Sequence, residues 1–309
     1  MPLPHDIIHF TGQFLFKPVM INPVNFNYHN ILICGIGGSH LAADMLQALY
    51  PEKNIKIHSD YGLPPNTPDD TLIIISSFSG NTEETISSHH EATKRKLPVL
   101  IITSGGELLK IAQEQTTPYI ALPALDMQPR MAFGYSLMAF AKALNIDLDI
   151  KDINSSEQEE SGKKNADVIF GKIPLIYSDT RHEFLAKHWK IKLNETAKSP
   201  AFFNVLPEMN HNEINMFQTF NAENKSPFIA IFLKSKNISA KINDRIEIMK
   251  GILAQHATPF LEIEFSNIIE NIILSDWTSY YLAQKAEVDP ESIPVIDLLK
   301  SKLKNARVS

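Results

Sequence analysis

Only one cysteine, Cys34, occurs among the 309 residues. No disulfide can form within the chain, and a reducing compartment, the cytoplasm, is the expected location. Cys34 ends the apolar run Ile31-Leu32-Ile33-Cys34 and reads as a small core residue rather than a nucleophile. Nowhere do cysteine and histidine fall at zinc-ligand spacing, so no metal is expected. Uninterrupted apolar stretches are also missing: no segment approaches the ~18 residues a membrane span needs. Met1 to Pro18 lacks the basic start and apolar run of a signal peptide. Positive charge is in deficit, with 29 Lys and Arg against 35 Asp and Glu and a formal net charge of -6. That argues against a nucleic-acid partner held by a broad basic surface, while leaving room for a small positive pocket.

What is present is ordinary globular material, 44% apolar and 21% charged, in a length that suits two domains of about 150 residues each. The first half alternates short, continuously apolar runs with helical patterns. Strands are expected over 30–35, 55–58, 71–76, 98–103 and 119–122, and helices over 40–49, 82–94 and 107–113. Strands apolar on every residue have both faces covered, as in a parallel α/β sheet. Residues 151–164 are polar, charged and serine-containing, and read as a linker or the solvated start of a helix. The strand–helix period then restarts, with strands over 173–178, 228–233 and 260–264, a helix from His182 to about Ala197, and a last helix over 296–304. The expected fold class is α/β, two tandem domains spanning 1–152 and 153–309, each a mainly parallel sheet flanked by helices.

Two strand-to-helix loops carry the chemistry. Gly35-Ile36-Gly37-Gly38-Ser39 follows the first strand, and its glycines allow backbone to approach a ligand closely. The next helix offers unpaired N–H groups to an anion. This is not the dinucleotide fingerprint G-x-G-x-x-G, because His40 stands at the third glycine position. A tight turn with no ligand is the plainer reading. The second loop, Ser76-Ser77-Phe78-Ser79-Gly80-Asn81-Thr82-Glu83-Glu84-Thr85, clusters hydroxyls at Ser76, Ser77, Ser79 and Thr82 ahead of a helix. Gly80 and Asn81 tolerate unusual backbone angles. Hydroxyl and amide donors at a helix N-terminus suit phosphate without needing a lysine. A solvated N-cap is the alternative, but four hydroxyls beyond a buried strand exceed what a cap requires.

Gly-x-Gly-Gly-Ser after one strand and Ser-x-Ser-Gly-Asn-Thr-Glu-Glu-Thr after a later one resemble the sugar isomerase (SIS) domain family. Within that family, the chain resembles the bifunctional phosphoglucose/phosphomannose isomerases. Gln128-Pro129-Arg130-Met131, Asn194-Glu195-Thr196-Ala197-Lys198, Pro207-Glu208-Met209-Asn210-His211-Asn212-Glu213, Asp276 to Ala283, Val288-Asp289-Pro290 and Leu299-Lys300 match family segments in the same order. The resemblance implies two SIS-type domains and an enzyme that isomerises glucose 6-phosphate, with mannose 6-phosphate as a second substrate, to fructose 6-phosphate. Proton transfer would run through a cis-enediol without metal or other cofactor. It also implies a hexose 6-phosphate as ligand, no nucleic-acid or membrane partner, and a homodimer whose site is completed across the interface.

Such a reaction needs a base between C1 and C2, an acid–base group to open the ring, and a cation near the enediolate. The resemblance assigns Glu195 as base, His211 and Lys300 to ring opening, and Arg130 to charge stabilisation. Ser39, Ser77, Ser79 and Thr82 would hold the phosphate, with Gly37, Gly38, Gly80 and Asn81 as backbone of the site. By themselves Glu195 reads equally as a surface carboxylate, His211 as a loop histidine, Arg130 as a salt-bridge partner and Lys300 as part of a solvated basic face. Two departures stand out. His40 is bulkier than the family's residues after Gly-Gly-Ser. Ile293 precedes Pro294-Val295 where the family often has a threonine linked to accepting both C2 epimers. A non-catalytic sugar-phosphate sensor, or a SIS isomerase acting on a heptose or aminosugar phosphate, are the alternatives.

Overall fold

The structure, a computed structural model, describes residues 3–150 and 153–306. Backbone contacts divide the described residues into two units: one from Ile8 to Ser155, and a second made of residues 156–306 together with residues 3–7. The boundary expected at 152/153 involves Lys151 and Asp152, which lie outside the described residues; the contact boundary falls between Ser155 and Ser156. Among the described residues, no helix is long and apolar enough to cross a membrane.

The chain opens with helix α1 (Leu3–Ile8). The first unit then runs β1 (Met20–Ile21), β2 (Asn30–Cys34), α2 (Leu41–Leu49), β3 (Ile55–His58), β4 (Thr71–Ser77), α3 (Glu83–Lys94), β5 (Val99–Thr103), α4 (Gly106–Glu114), β6 (Tyr119–Ala121) and α5 (Phe133–Leu144). Its sheet has the order β1-β6-β5-β4-β2-β3. All neighbours pair in parallel except β1, which joins β6 antiparallel through Met20 and Ile120. The five strands expected from apolar runs all form. Two-residue β1 was not expected, since it is too short to show a period.

Alternate residues of these strands enter two different cores. Leu32, Cys34, Ile73, Ile75, Val99 and Ile101 pack with Ala92 of α3 and Leu108 and Ala112 of α4. The intervening Ile31, Ile33, Leu72, Ile74, Leu100 and Ile102 are equally buried, and α2 packs on α5. Complete burial is why these strands are apolar at every position, each large side chain contributing about 1.5–3 kcal/mol.

The second unit runs α6 (Glu159–Ile169), β7 (Ile173–Asp179), α7 (Glu183–Glu195), β8 (Phe202–Leu206), β9 (Phe228–Ser235), α8 (Ala240–Gln255), β10 (Phe260–Phe265), α9 (Ile268–Lys285) and α10 (Pro294–Ala306). Its sheet is parallel throughout, in the order β10-β9-β7-β8. The polar run at 151–164 leads into α6, which lies on α9 with Gly162 against Trp277: a Cβ on Gly162 would sit 2.4 Å from the Trp277 Cβ. Helix α7 is joined to α9 by Trp189 Nε1 donating to Asn271 Oδ1 at 2.7 Å and by a buried ion pair between Lys192 and Asp276.

Burial of Cys34 pushes its thiol up to about 12, a hydrogen bond with Ser88 offsetting part of the effect. Near pH 8 the native thiol should therefore alkylate roughly a thousandfold more slowly than in the urea-unfolded chain. Iodoacetamide labelling followed by mass spectrometry measures the ratio; equal rates would contradict the core assignment.

Candidate active site

Strands β2 and β4 are neighbours although β3 lies between them in sequence, so the order of the first sheet reverses here. A crevice opens beyond the carboxyl ends of two such strands, and ligands of open α/β sheets bind there. The loops from these ends are the glycine loop at 35–39 and the hydroxyl loop at 76–82.

Ser39 ties the two loops together. Its carbonyl accepts from Ser76 Oγ at 2.7 Å, and its own Oγ accepts from the Phe78 N–H at 3.1 Å. Within the second loop, Ser77 Oγ accepts from the Gly80 N–H at 3.1 Å and lies 2.8 Å from Thr82 Oγ1. Ser79 and Asn81 are exposed, Thr82 is half-buried, and Ser77 is fully buried. Thr82 occupies the N-cap position of α3, yet its hydroxyl makes no capping hydrogen bond. The first turn of α3 therefore has no side-chain cap from Thr82 on the N–H groups that a helix leaves unpaired.

Gly80 has φ +68°, and a Cβ there would lie 1.8 Å from the Gly105 carbonyl oxygen. The loop after β5 is thus pressed onto the hydroxyl loop. Ser104 N–H donates to the Phe78 carbonyl, the Leu108 N–H to the Gly80 carbonyl, and the Glu107 N–H to Asn81 Oδ1. Gly37 is also left-handed, at φ +57°. Gly38 serves a different need, because a Cβ would meet the Arg130 nitrogen at 2.9 Å and the Pro129 carbonyl carbon at 3.0 Å.

That contact brings the Arg130 turn, Pro129–Met131, against the glycine loop. The turn is held from behind by Gln13, which sequence reasoning missed. Gln13 is buried; its Nε2 donates to the Met131 carbonyl at 2.7 Å and its Oε1 accepts from the Gly134 N–H at 2.9 Å, at the start of α5. Arg130 is 1% exposed, with Nη1 3.4 Å from Gln128 Oε1. His40, the bulky departure, is buried, with Nδ1 2.9 Å from Asp44 Oδ2.

The remaining expected residues belong to the second unit. Glu195 is the half-buried last residue of α7. Around it, Asn194 Nδ2 donates to the Ser199 carbonyl at 2.8 Å and the Ser199 N–H to the Leu193 carbonyl. His211 is exposed, on the turn after β8. Glu213 anchors that turn: it accepts from Tyr177 Oη at 2.6 Å and from Asn204 Nδ2 at 2.7 Å, joining it to β7 and β8. Burial, reinforced by the Glu213 charge, pushes the Tyr177 phenol far up, so it stays a donor. Lys300 is exposed on α10. The first unit thus gathers Ser39, Ser77, Ser79, Thr82 and the Arg130 turn around the adjoining ends of β2 and β4, while Glu195, His211 and Lys300 stand on three separate elements of the second.

A largely parallel sheet with reversed strand order, carrying a hydroxyl-rich loop at a helix N-terminus, places the first unit among α/β folds of the SIS type. A sequence profile described as the bacterial phospho-glucose isomerase C-terminal SIS domain matches residues 158–303. The chain is 32% identical over 294 residues to the bifunctional phosphoglucose/phosphomannose isomerase of Aquifex aeolicus, covering 90% of this chain and 91% of that one. Other relatives of the same name match at 29–31%. The D-glucosamine-6-phosphate 4-epimerase of Sulfolobus acidocaldarius is 28% identical over 282 residues, 88% of each chain. In structure, a hypothetical protein of Thermus thermophilus superposes with a TM-score of 0.70 at 15% identity, covering 99% of this chain and 89% of that one. The chain belongs to the bifunctional phosphoglucose/phosphomannose isomerase family.

Gly80→Ala and Gly38→Ala should both destabilise the first unit, each by roughly 1–3 kcal/mol of overpacking. Gly80→Ala should cost about 1–2 kcal/mol more, for the left-handed backbone it also forces on alanine. Urea midpoints of the two variants check the order; a Gly80→Ala variant as stable as the parent would show that the loops are not interlocked.

Proposed function

We propose that the chain interconverts hexose 6-phosphates, glucose 6-phosphate to fructose 6-phosphate in the first instance, by proton transfer. The observation that carries the reading is the hydroxyl cluster at the N-terminus of α3, beyond the strand-order reversal, in a chain of this family. Ser79 and Thr82, with the amides of the first turn of α3, bind the phosphate; Ser39 and Ser77 complete the set and hold the loops in shape. Gly37, Gly38, Gly80 and Asn81 supply backbone.

With the ring opened by His211 and Lys300, Glu195 takes the C2 proton of the aldehyde form and returns it to C1. The hydroxyl proton moves from O2 to O1 as the C2 carbonyl forms, so the intermediate is an enediol and the reaction is redox-neutral overall. Arg130 stabilises the negative charge on the enediolate oxygens, more strongly in a buried setting than in water. No metal or organic cofactor is part of the proposal.

A homodimer completes it. His211 is exposed on its turn, and α10 presents Val295, Leu299 and Leu303 at four-residue spacing with 78%, 57% and 44% exposure. A second copy is the proposed cover for that stripe, with His211 acting across the interface. The reducing cytoplasm suits the single buried cysteine. The aminosugar-phosphate epimerase among the relatives favours a second reading, in which the sugar carries an amino group at C2.

A coupled assay with glucose 6-phosphate, mannose 6-phosphate and glucosamine 6-phosphate side by side distinguishes these readings. Turnover of glucose 6-phosphate is expected, and the mannose arm reports what Ile293 does to C2 selectivity. Turnover confined to the aminosugar would overturn the first reading. Glu195→Gln should lower kcat by a factor on the order of 10³ or more while sugar-phosphate binding stays near the parent value. Ser79→Ala should instead weaken binding roughly tenfold, the value of about one lost hydrogen bond to a charged group; unchanged affinity in titration calorimetry would remove Ser79 from the phosphate site.

A further inference from the structure

Two family-like segments of the second unit, Asn194–Lys198 and the Val288-Asp289-Pro290 turn that precedes α10, are joined by one side chain. Lys198 follows the last turn of α7 in the left-handed conformation, φ +52°. Its ammonium donates to the Glu195 carbonyl at 3.0 Å, to the Thr196 carbonyl at 3.4 Å, and to the Asp289 carbonyl. The first two are carbonyls of the kind a helix C-terminus leaves unpaired, where a cation is favoured.

The third belongs to another element. Asp289 lies in the turn between α9 and α10, and its carboxylate organises that turn by accepting from the Glu291 N–H at 2.9 Å and the Ser292 N–H at 3.3 Å. Backbone hydrogen bonds and the Ser292 side chain, against the small effect of burial, hold the Asp289 carboxyl below its usual range. Glu291 Oε1 in turn accepts from the Leu3 N–H at 2.9 Å, which ties the turn to α1. Helix α10, with Lys300, starts at Pro294. A single cation therefore bridges the helix end that carries Glu195 and the turn that launches the helix carrying Lys300. Left-handed backbone alone does not make the case, since Lys96 and Glu287 adopt it too. The convergence of carbonyls from two elements on one ammonium does.

We propose that Lys198 is a positioning residue, holding Glu195 and α10 in fixed relation while touching neither substrate nor reacting atoms. The proposal rests on the assignment of Glu195 as base. Its chemical logic is that proton transfer falls steeply with misplacement of the base, whereas phosphate binding, assigned to the first unit, does not depend on it.

Lys198→Gly is the informative variant, because glycine accepts the left-handed backbone without strain, so the ammonium is removed without a new backbone penalty in the folded state. The kcat for glucose 6-phosphate should fall by on the order of ten- to a hundredfold. KM should stay within about twofold, and Lys198→Arg should restore most of the rate. Independently of turnover, amide exchange over 289–300 should accelerate roughly tenfold in the glycine variant. Parent kcat per folded molecule, or parent exchange over 289–300, would overturn the proposal. Glu195→Gln run in parallel separates the two claims. An inactive Glu195→Gln beside a fully active Lys198→Gly sinks only the positioning role. An active Glu195→Gln removes the base assignment, and the positioning role with it.

Discussion

The first sheet is built outward in two directions from β2 and β4, and this reversal is what makes room for chemistry. Helices α3 and α4 close one face of the sheet, while α2 packs on α5. No helix follows directly from one of the two central strands to the other, so their carboxyl ends are left to loops. Everything assigned to the ligand in the first unit depends on how those loops fill the gap. They do so largely through backbone: the Ser39 carbonyl and the Phe78 N–H bond to hydroxyls of the facing loop, the Phe78 and Gly80 carbonyls accept from the Ser104 and Leu108 N–H groups, and the Gly105 carbonyl lies where a Cβ on Gly80 would go. Side chains would hold the loops apart, which is why glycine occurs at 38 and 80. Two of the hydroxyls, Ser39 and Ser77, consequently have structural partners as well as a proposed ligand.

The second unit repeats the reversal, between β7 and β9, with different contents. Here the loop after β7 carries an Asp179–His182 pair at 2.8 Å, and the imidazole rests edge-on against Phe265 at 5.2 Å. Burial works to raise the Asp179 carboxyl, but the His182 ring and the His182 and Arg181 N–H groups hold it below its usual range. A hydrogen-bonded carboxylate–imidazole pair and an aromatic contact occupy the position that glycines and serines take in the first unit. The residues assigned to proton transfer in this unit lie elsewhere, on the end of α7, the turn after β8 and α10. One topology thus carries two different contents: the hydroxyl loop proposed for phosphate in the first unit, and a base for the side chains proposed for proton transfer in the second.

Rigidity in the second unit comes from polar groups placed between elements. Glu213 engages both carboxylate oxygens with Tyr177 and Asn204, so the turn bearing His211 is fixed to two strands. Helix α7 is pinned along its length by Trp189–Asn271 and Lys192–Asp276, and at its end by Lys198. Buried polar pairs of this kind add little net stability over apolar contacts, but they admit one arrangement only. A helix proposed to present a catalytic carboxylate in one place has use for that property.

Periodicity determined only part of the two sheets. The apolar runs at 31–34, 72–75 and 99–102 announced buried parallel strands, while β8, whose residues are mostly half-exposed, and two-residue β1 carried no such signal. The hydroxyl loop was legible for a related reason, since its composition and its place between a strand and a helix are both local. So was Glu195, as a residue at a helix end. What tertiary structure decided is everything that depends on backbone meeting backbone across the chain: Gly38 against Arg130, Gly80 against Gly105, and Gln13 fastening a turn more than a hundred residues away. Such contacts leave no periodic trace, because a single small or polar residue makes each of them. Lys198 shows the difference most plainly. In sequence it is a lysine after a helix; only the fold brings the Asp289 carbonyl to its ammonium, and that long-range meeting is what ties the proposed base to the C-terminal helix.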